Sequence, residues 1–76
     1  MNEVEKFKKV IEKKVLTLKR VKDYDLKAIF ESTEKIVNSE IGQKIKAGKV
    51  SIVLKNSEII LTIFYENGKM EFRRSI

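Results

Sequence analysis

Acid–base or metal chemistry in this chain would have to come from Asp, Glu, Lys or Tyr, because its 76 residues include neither Cys nor His. Such groups act near neutral pH only when burial or a close charge shifts them strongly. The carboxylates are poorly placed for that. Asp23 and Asp25 stand where a helix start needs acceptors for its free N–H groups, and Glu31 lies four residues from both Lys27 and Lys35, an ordinary solvated ion-pair ladder. The stretch GQKIKAGKV superficially resembles a phosphate loop. It has one residue too many between its glycines, Val50 in place of the magnesium-binding Ser or Thr, and a strand where a helix must follow. No catalytic residue, cofactor or metal is therefore expected, disulfides are excluded, and the chain reads as non-enzymatic.

Charge carries a stronger signal. The formal net charge is +6, which favours acidic partners, above all phosphate backbones. Most of the excess lies in residues 1–22, where Lys6, Lys8, Lys9, Lys13, Lys14, Lys19, Arg20 and Lys22 outweigh Glu3, Glu5 and Glu12. On a helical wheel Lys6, Lys9, Lys13 and Arg20 line one ridge, roughly 20 Å long at 1.5 Å per residue, enough to follow several phosphates. The competing reading is a solvated face that only keeps the protein soluble.

The elements that would position these lysines follow from apolar periodicity. Val4, Phe7, Val10, Ile11, Val15, Leu18 and Val21 share one arc at helical spacing, predicting an amphipathic helix from Asn2 to Lys22. Only Lys14 intrudes on the arc and only Leu16 strays from it; the rival reading makes VLTLKRV a strand. Leu26, Ile29, Phe30, Ile36, Val37, Ile41 and Ile45 form a second stripe, with a break allowed near Asn38 and Ser39. Gly42 marks a bend or a close helix contact, and Gly48 is the expected left-handed stop.

From Val50 the chain reads as a three-stranded meander. A two-residue turn at Asn56-Ser57 pairs Leu54 with Ile59 and Ile52 with Leu61; a type I′ turn at Asn67-Gly68 would pair Tyr65 with Met70 and Ile63 with Phe72. One face then carries Val50, Ile52, Leu54, Ile59, Leu61, Ile63, Tyr65, Met70 and Phe72 and forms the core. The expected fold is a two-layer α+β domain spanning residues 1–76, with two helices on one face of an antiparallel meander (α-α-β-β-β). A winged-helix arrangement is the alternative, using a split near Ser39 as the helix-turn-helix and the Asn67-Gly68 hairpin as the wing.

The opposite face presents Val53, Ile60 and Phe64 among Lys49, Lys55, Ser51, Thr62 and Arg73. An apolar group rimmed by polar residues marks an interface. Lys49, Val53, Ile60, Thr62, Phe64 and Arg73 are therefore the candidate contact residues. They would serve a homodimer, a protein partner, or a single-stranded base stacked on Phe64. The edge strands also offer pairing to a second copy. The longest apolar run is too short for a membrane span and the first residues lack a signal peptide's pattern, so a cytoplasmic protein without membrane contact is expected. The first functional expectation is a small DNA- or RNA-binding protein, of the kind a virus or mobile element encodes, gripping nucleic acid through the basic ridge. The second is an interaction module or inhibitor docking on an acidic protein surface or dimerising through the outer sheet face.

Overall fold

The computed structural model describes residues 2–16 and 25–75. Three helices precede three strands: α1 (Glu3–Lys14), α2 (Asp25–Val37), α3 (Glu40–Lys44), β1 (Val50–Lys55), β2 (Glu58–Tyr65) and β3 (Gly68–Ser75). The strands form one antiparallel sheet in the order β1-β2-β3, and the helices pack over one of its faces, giving a small α+β fold. The winged-helix alternative does not fit. Its strands would bracket the helix-turn-helix, whereas here all three strands follow the helices, and α3, with five residues, is too short to serve as a recognition helix.

Helix α1 opens on Asn2, whose extended backbone lets its Oδ1 accept the Glu5 N–H at 2.8 Å. It buries Phe7 and Ile11 and ends at Lys14, not at the expected Lys22. The Ile11 carbonyl accepts both the Val15 N–H (2.9 Å) and the Leu16 N–H (3.2 Å). The physical reason lies in Leu16, which a continuing helix would aim away from the apolar arc. Leaving the helix after Lys14 allows Val15 to be buried and Leu16 to pack against the core as well. The expected positions Leu18, Arg20, Val21 and Asp23 lie outside the described residues.

The second stripe is split, by Ser39. The Asn38 N–H makes the last α2 bond, to Glu34, and Ser39 then turns extended and opens α3. Its hydroxyl donates to the Ile36 carbonyl, and the Gln43 side-chain amide donates to the Val37 carbonyl at 3.0 Å, so the end of α2 is capped by groups from the joint itself. Gly42 holds that joint closed. A Cβ there would fall under 3.0 Å from the carbonyl oxygens of both Ile36 and Val37, a separation real Cβ atoms do not tolerate. Within α2 the buried stripe runs Ile29, Thr33, Val37. The Thr33 hydroxyl is satisfied by donating to the Ile29 carbonyl at 2.7 Å, which lets a polar residue sit fully inside.

The left-handed stop after α3 is Lys46 (φ 55°), not Gly48. The Lys46 N–H donates to Gln43 and the Ala47 N–H to Gly42, the paired bonds of a Schellman ending, with Ala47 buried beside it. Gly48 instead leads into β1, donating to the Phe64 carbonyl at 2.9 Å.

The first hairpin has the expected register, with Asn56 and Ser57 both left-handed, as a type I′ turn requires. The second is displaced by two residues. Ile63 pairs with Met70 and Leu61 with Phe72, and the loop residues are Glu66 and Asn67. Gly68 (φ 135°) alone adopts positive φ in this turn. An even displacement keeps every side chain on its face, so the inward and outward partition survives although its cross-strand rows change. The expected register would have set inward-pointing Arg74 opposite Leu61, in mid-core. The observed one sets it opposite Ile59, at the end of the sheet, where a charge can reach water.

The core joins Phe7, Ile11 and Val15 to Ile29 and Val37, to Ile45 and Ala47, and to Ile59, Leu61, Ile63 and Met70. The central strand β2 is therefore the most deeply covered. Leu54 departs from expectation: on the inward face, it is nonetheless 43% exposed, because the end of β1 lies beyond the cover of the helices.

Candidate nucleic-acid and partner interfaces

The apolar stripe of α1 turns Phe7 and Ile11 inward and sends Lys6, Lys9 and Lys13 outward, within an arc of about 60° at 100° per residue. All three are exposed, as are Lys8 and Lys14. None of them makes an ion pair among the described residues, although Glu5 and Glu12 are each four residues from one of these lysines. The ridge is shorter than expected. From Lys6 to Lys13 it runs about 10 Å along the axis, and Arg20, its fourth member, lies outside the described residues.

On the outer sheet face the rows read Lys49, Phe64, Lys69; Ser51, Thr62, Glu71; Val53, Ile60, Arg73; and Lys55, Glu58, Ser75. Val53 (48% exposed) and half-buried Ile60 are direct cross-strand neighbours, while Phe64 (38% exposed) is separated from Ile60 by Thr62. The expected apolar group is thus two: a Val53–Ile60 pair and a lone Phe64. The Lys49 ammonium lies over the Phe64 ring, 5.7 Å from its centroid, a cation–π contact that occupies one approach to the aromatic face.

Arg73 is committed within the chain. Its Nη1 lies 3.0 Å from Glu58 Oε1, its Nη2 lies 3.0 Å from Glu71 Oε1, and its Nε donates to the same Glu71 oxygen at 3.2 Å. Hydrogen bonding to Glu58 first, then to Glu71, raises the guanidinium above its ordinary pKa. A cation held by two carboxylates has little charge left for a phosphate. The displaced hairpin register completes this clamp: it places Arg73 beside Ile60 with Glu58 as its diagonal neighbour, while Glu71 lies two residues earlier on the same face of β3.

Elsewhere exposed pairs form between Lys27 and Glu31 (3.9 Å), Lys44 and Glu40 (3.7 Å) and Lys46 and Glu66 (4.0 Å), solvated contacts of the kind that contribute little. Among the described residues no three acidic side chains gather as a metal site would need, and no helix is long and apolar enough to cross a membrane. An open cleft of about 340 Å³ separates the end of α1 from β3, lined by Glu12, Leu16, Phe72 and Arg74 and by Glu71 and Arg73. Arg74 Nε is buried there without a hydrogen-bond partner among the described residues. The alternation Met70, Phe72, Arg74 was enough to place Arg74 on the inner face; reading β3 only for its apolar residues passes over it. Because carboxylates and guanidinium groups share the lining, the cleft favours neither sign of ligand.

No protein-family model, no curated protein and no solved structure matches this chain.

Proposed function

We propose that this chain is a small, non-enzymatic nucleic-acid-binding protein that holds phosphates along the exposed side of α1. One observation carries the reading: Lys6, Lys9 and Lys13 share a ridge and make no ion pair among the described residues, whereas Arg73 on the sheet is clamped by two carboxylates. Unpaired lysines at helical spacing present point charges to a backbone without first having to break internal pairs. Lysines on flexible stems act mainly as point charges, so the expected binding is governed by phosphate contacts and weakly selective for sequence.

The test is fluorescence anisotropy with labelled duplex DNA, single-stranded DNA and structured RNA. If three phosphates are neutralised, duplex affinity should fall roughly 40-fold between about 50 and 200 mM salt. Changing Lys6, Lys9 and Lys13 together to Glu should abolish binding while leaving the circular dichroism spectrum intact. Unchanged affinity in that variant sinks the proposal.

A second reading rests on the exposure of Val53 beside Ile60: the outer sheet face docks a protein partner or a second copy. Ile60→Asp should then disrupt that assembly and leave nucleic-acid affinity alone.

A further inference from the structure

The free edge of β1, one of the two edges of the sheet, combines three features. Its backbone is the first. Lys49 faces Phe64, whose N–H donates to the Lys49 carbonyl at 2.9 Å. Hydrogen-bonded pairs alternate along an antiparallel ladder, so Ser51, Val53 and Lys55 direct their N–H and C=O groups at β2, while Val50, Ile52 and Leu54 direct theirs away. Among the described residues no strand pairs with that side, because β1 is terminal in the sheet. Three residues therefore present a row of donors and acceptors at strand spacing.

The second is apolar exposure on both faces at one end of this strand. Val53 (48% exposed) points outward and Leu54 (43% exposed) points inward past the helices, so a neighbouring strand would cover both. The third is charge. Lys55 is cross-strand partner to Glu58, but Glu58 is bound to Arg73 on the far side of β2. Lys55 is left with no carboxylate among the described residues, and Lys49 at the other end has only the Phe64 ring.

We propose that the β1 edge receives an extended acidic segment of another protein as a fourth strand. Its main chain pairs with Val50, Ile52 and Leu54, its apolar side chains lie beside Val53 and Leu54, and its carboxylates meet Lys55 and Lys49. A second copy of this chain is the weaker occupant. Full antiparallel overlap of two β1 strands centred on Ile52 sets Lys49 of each opposite Lys55 of the other, and each copy brings a net charge of +6. The acidic strand is independent of the α1 ridge, so loss of nucleic-acid binding would not touch it.

The experiment is amide hydrogen exchange by NMR on the full chain, titrated with two blocked synthetic peptides, Glu-Val-Thr-Val-Thr-Val-Glu and its counterpart with Lys at both ends. The expected result is an alternating signature: exchange slows at least tenfold at Val50, Ile52 and Leu54 with the acidic peptide, and does not slow with the basic one. Leu54→Pro removes one edge-facing N–H without touching the ladder and should abolish the effect. Lys49→Glu with Lys55→Glu leaves the backbone untouched and should invert the peptide preference, which keeps the test decisive if the proline variant fails to fold. No slowing with millimolar acidic peptide, equal response to both peptides, or slowing that grows with protein concentration alone would each overturn the proposal, the last in favour of a second copy.

Discussion

The helical layer and the sheet hold their positive charge in opposite ways. On α1, Lys6, Lys9 and Lys13 stand a turn apart with no carboxylate engaged among the described residues. On β3, Arg73 is gripped by Glu58 and Glu71, one carboxylate from each of two strands. The contrast lies in how far each charge is already committed within the chain. A cation already hydrogen-bonded within the chain must lose those bonds to meet a phosphate, whereas an unpaired surface lysine gives up only its hydration. The two layers are also fixed by different means. The α2–α3 joint is fixed by steric exclusion at Gly42, and the sheet by a register that the displaced second hairpin selects.

The severest way to break the helical side of this comparison is Gly42→Ala. In an open helix that change would be favourable by roughly 1 kcal/mol. Here the added methyl meets two backbone carbonyls, which cannot step aside as a side chain can, so the sign reverses. A loss of about 2–3 kcal/mol is expected, read as a fall in Tm of roughly 10–20 °C by calorimetry. An unchanged or raised Tm would mean that α3 is not held against α2 as described. Next in size is the triple change of Lys6, Lys9 and Lys13 to Glu. It should weaken duplex binding at least 30-fold at about 100 mM salt, near 2 kcal/mol, with Tm nearly unmoved. If the same loss follows from removing Arg73 instead, the contrast between free and committed charge is wrong.

Much of this arrangement was legible in the sequence, for reasons particular residues make plain. The inward set on β2, Ile59, Leu61 and Ile63, follows from strict alternation, and the Asn56-Ser57 turn sets the β1–β2 pairing because two consecutive left-handed residues leave one register. The other turn misled because an Asn-Gly pair serves either as the two central residues of a type I′ turn or, as here, with Gly68 alone left-handed after Asn67. The end of α1 was hidden for a related reason: Leu16 looked like a stray on a long helix and is the residue that ends it. Thr33 went unnoticed because its burial depends on a bond to the Ile29 carbonyl that composition does not announce. Of the candidate sites, the Lys6, Lys9 and Lys13 ridge needed only helical spacing to be found. The Arg73 clamp needed the correct hairpin register, so sequence reasoning assigned Arg73 to a contact surface with its charge free.

The smallest effect sharpens the comparison most, because it links the committed cation to the strand edge. In Arg73→Met both carboxylates lose their partner while the aliphatic stem beside Ile60 is kept. Arg73 and Glu71 are exposed and Glu58 is half-exposed, so Tm should drop by no more than a few degrees, and by less in 1 M salt, where such pairs are screened. Nucleic-acid affinity and its salt slope should stay at their original values. Glu58, once released, is free to turn toward its other cross-strand neighbour, Lys55. Pairing there would neutralise the lysine that the β1 edge offers to an acidic strand. The acidic peptide should therefore protect Val50, Ile52 and Leu54 less in Arg73→Met than in the original protein, and Arg73→Met with Glu58→Gln should restore that protection. If peptide binding is indifferent to Arg73, Lys55 does not owe its availability to the clamp, and the charges of the two sheet edges are independent.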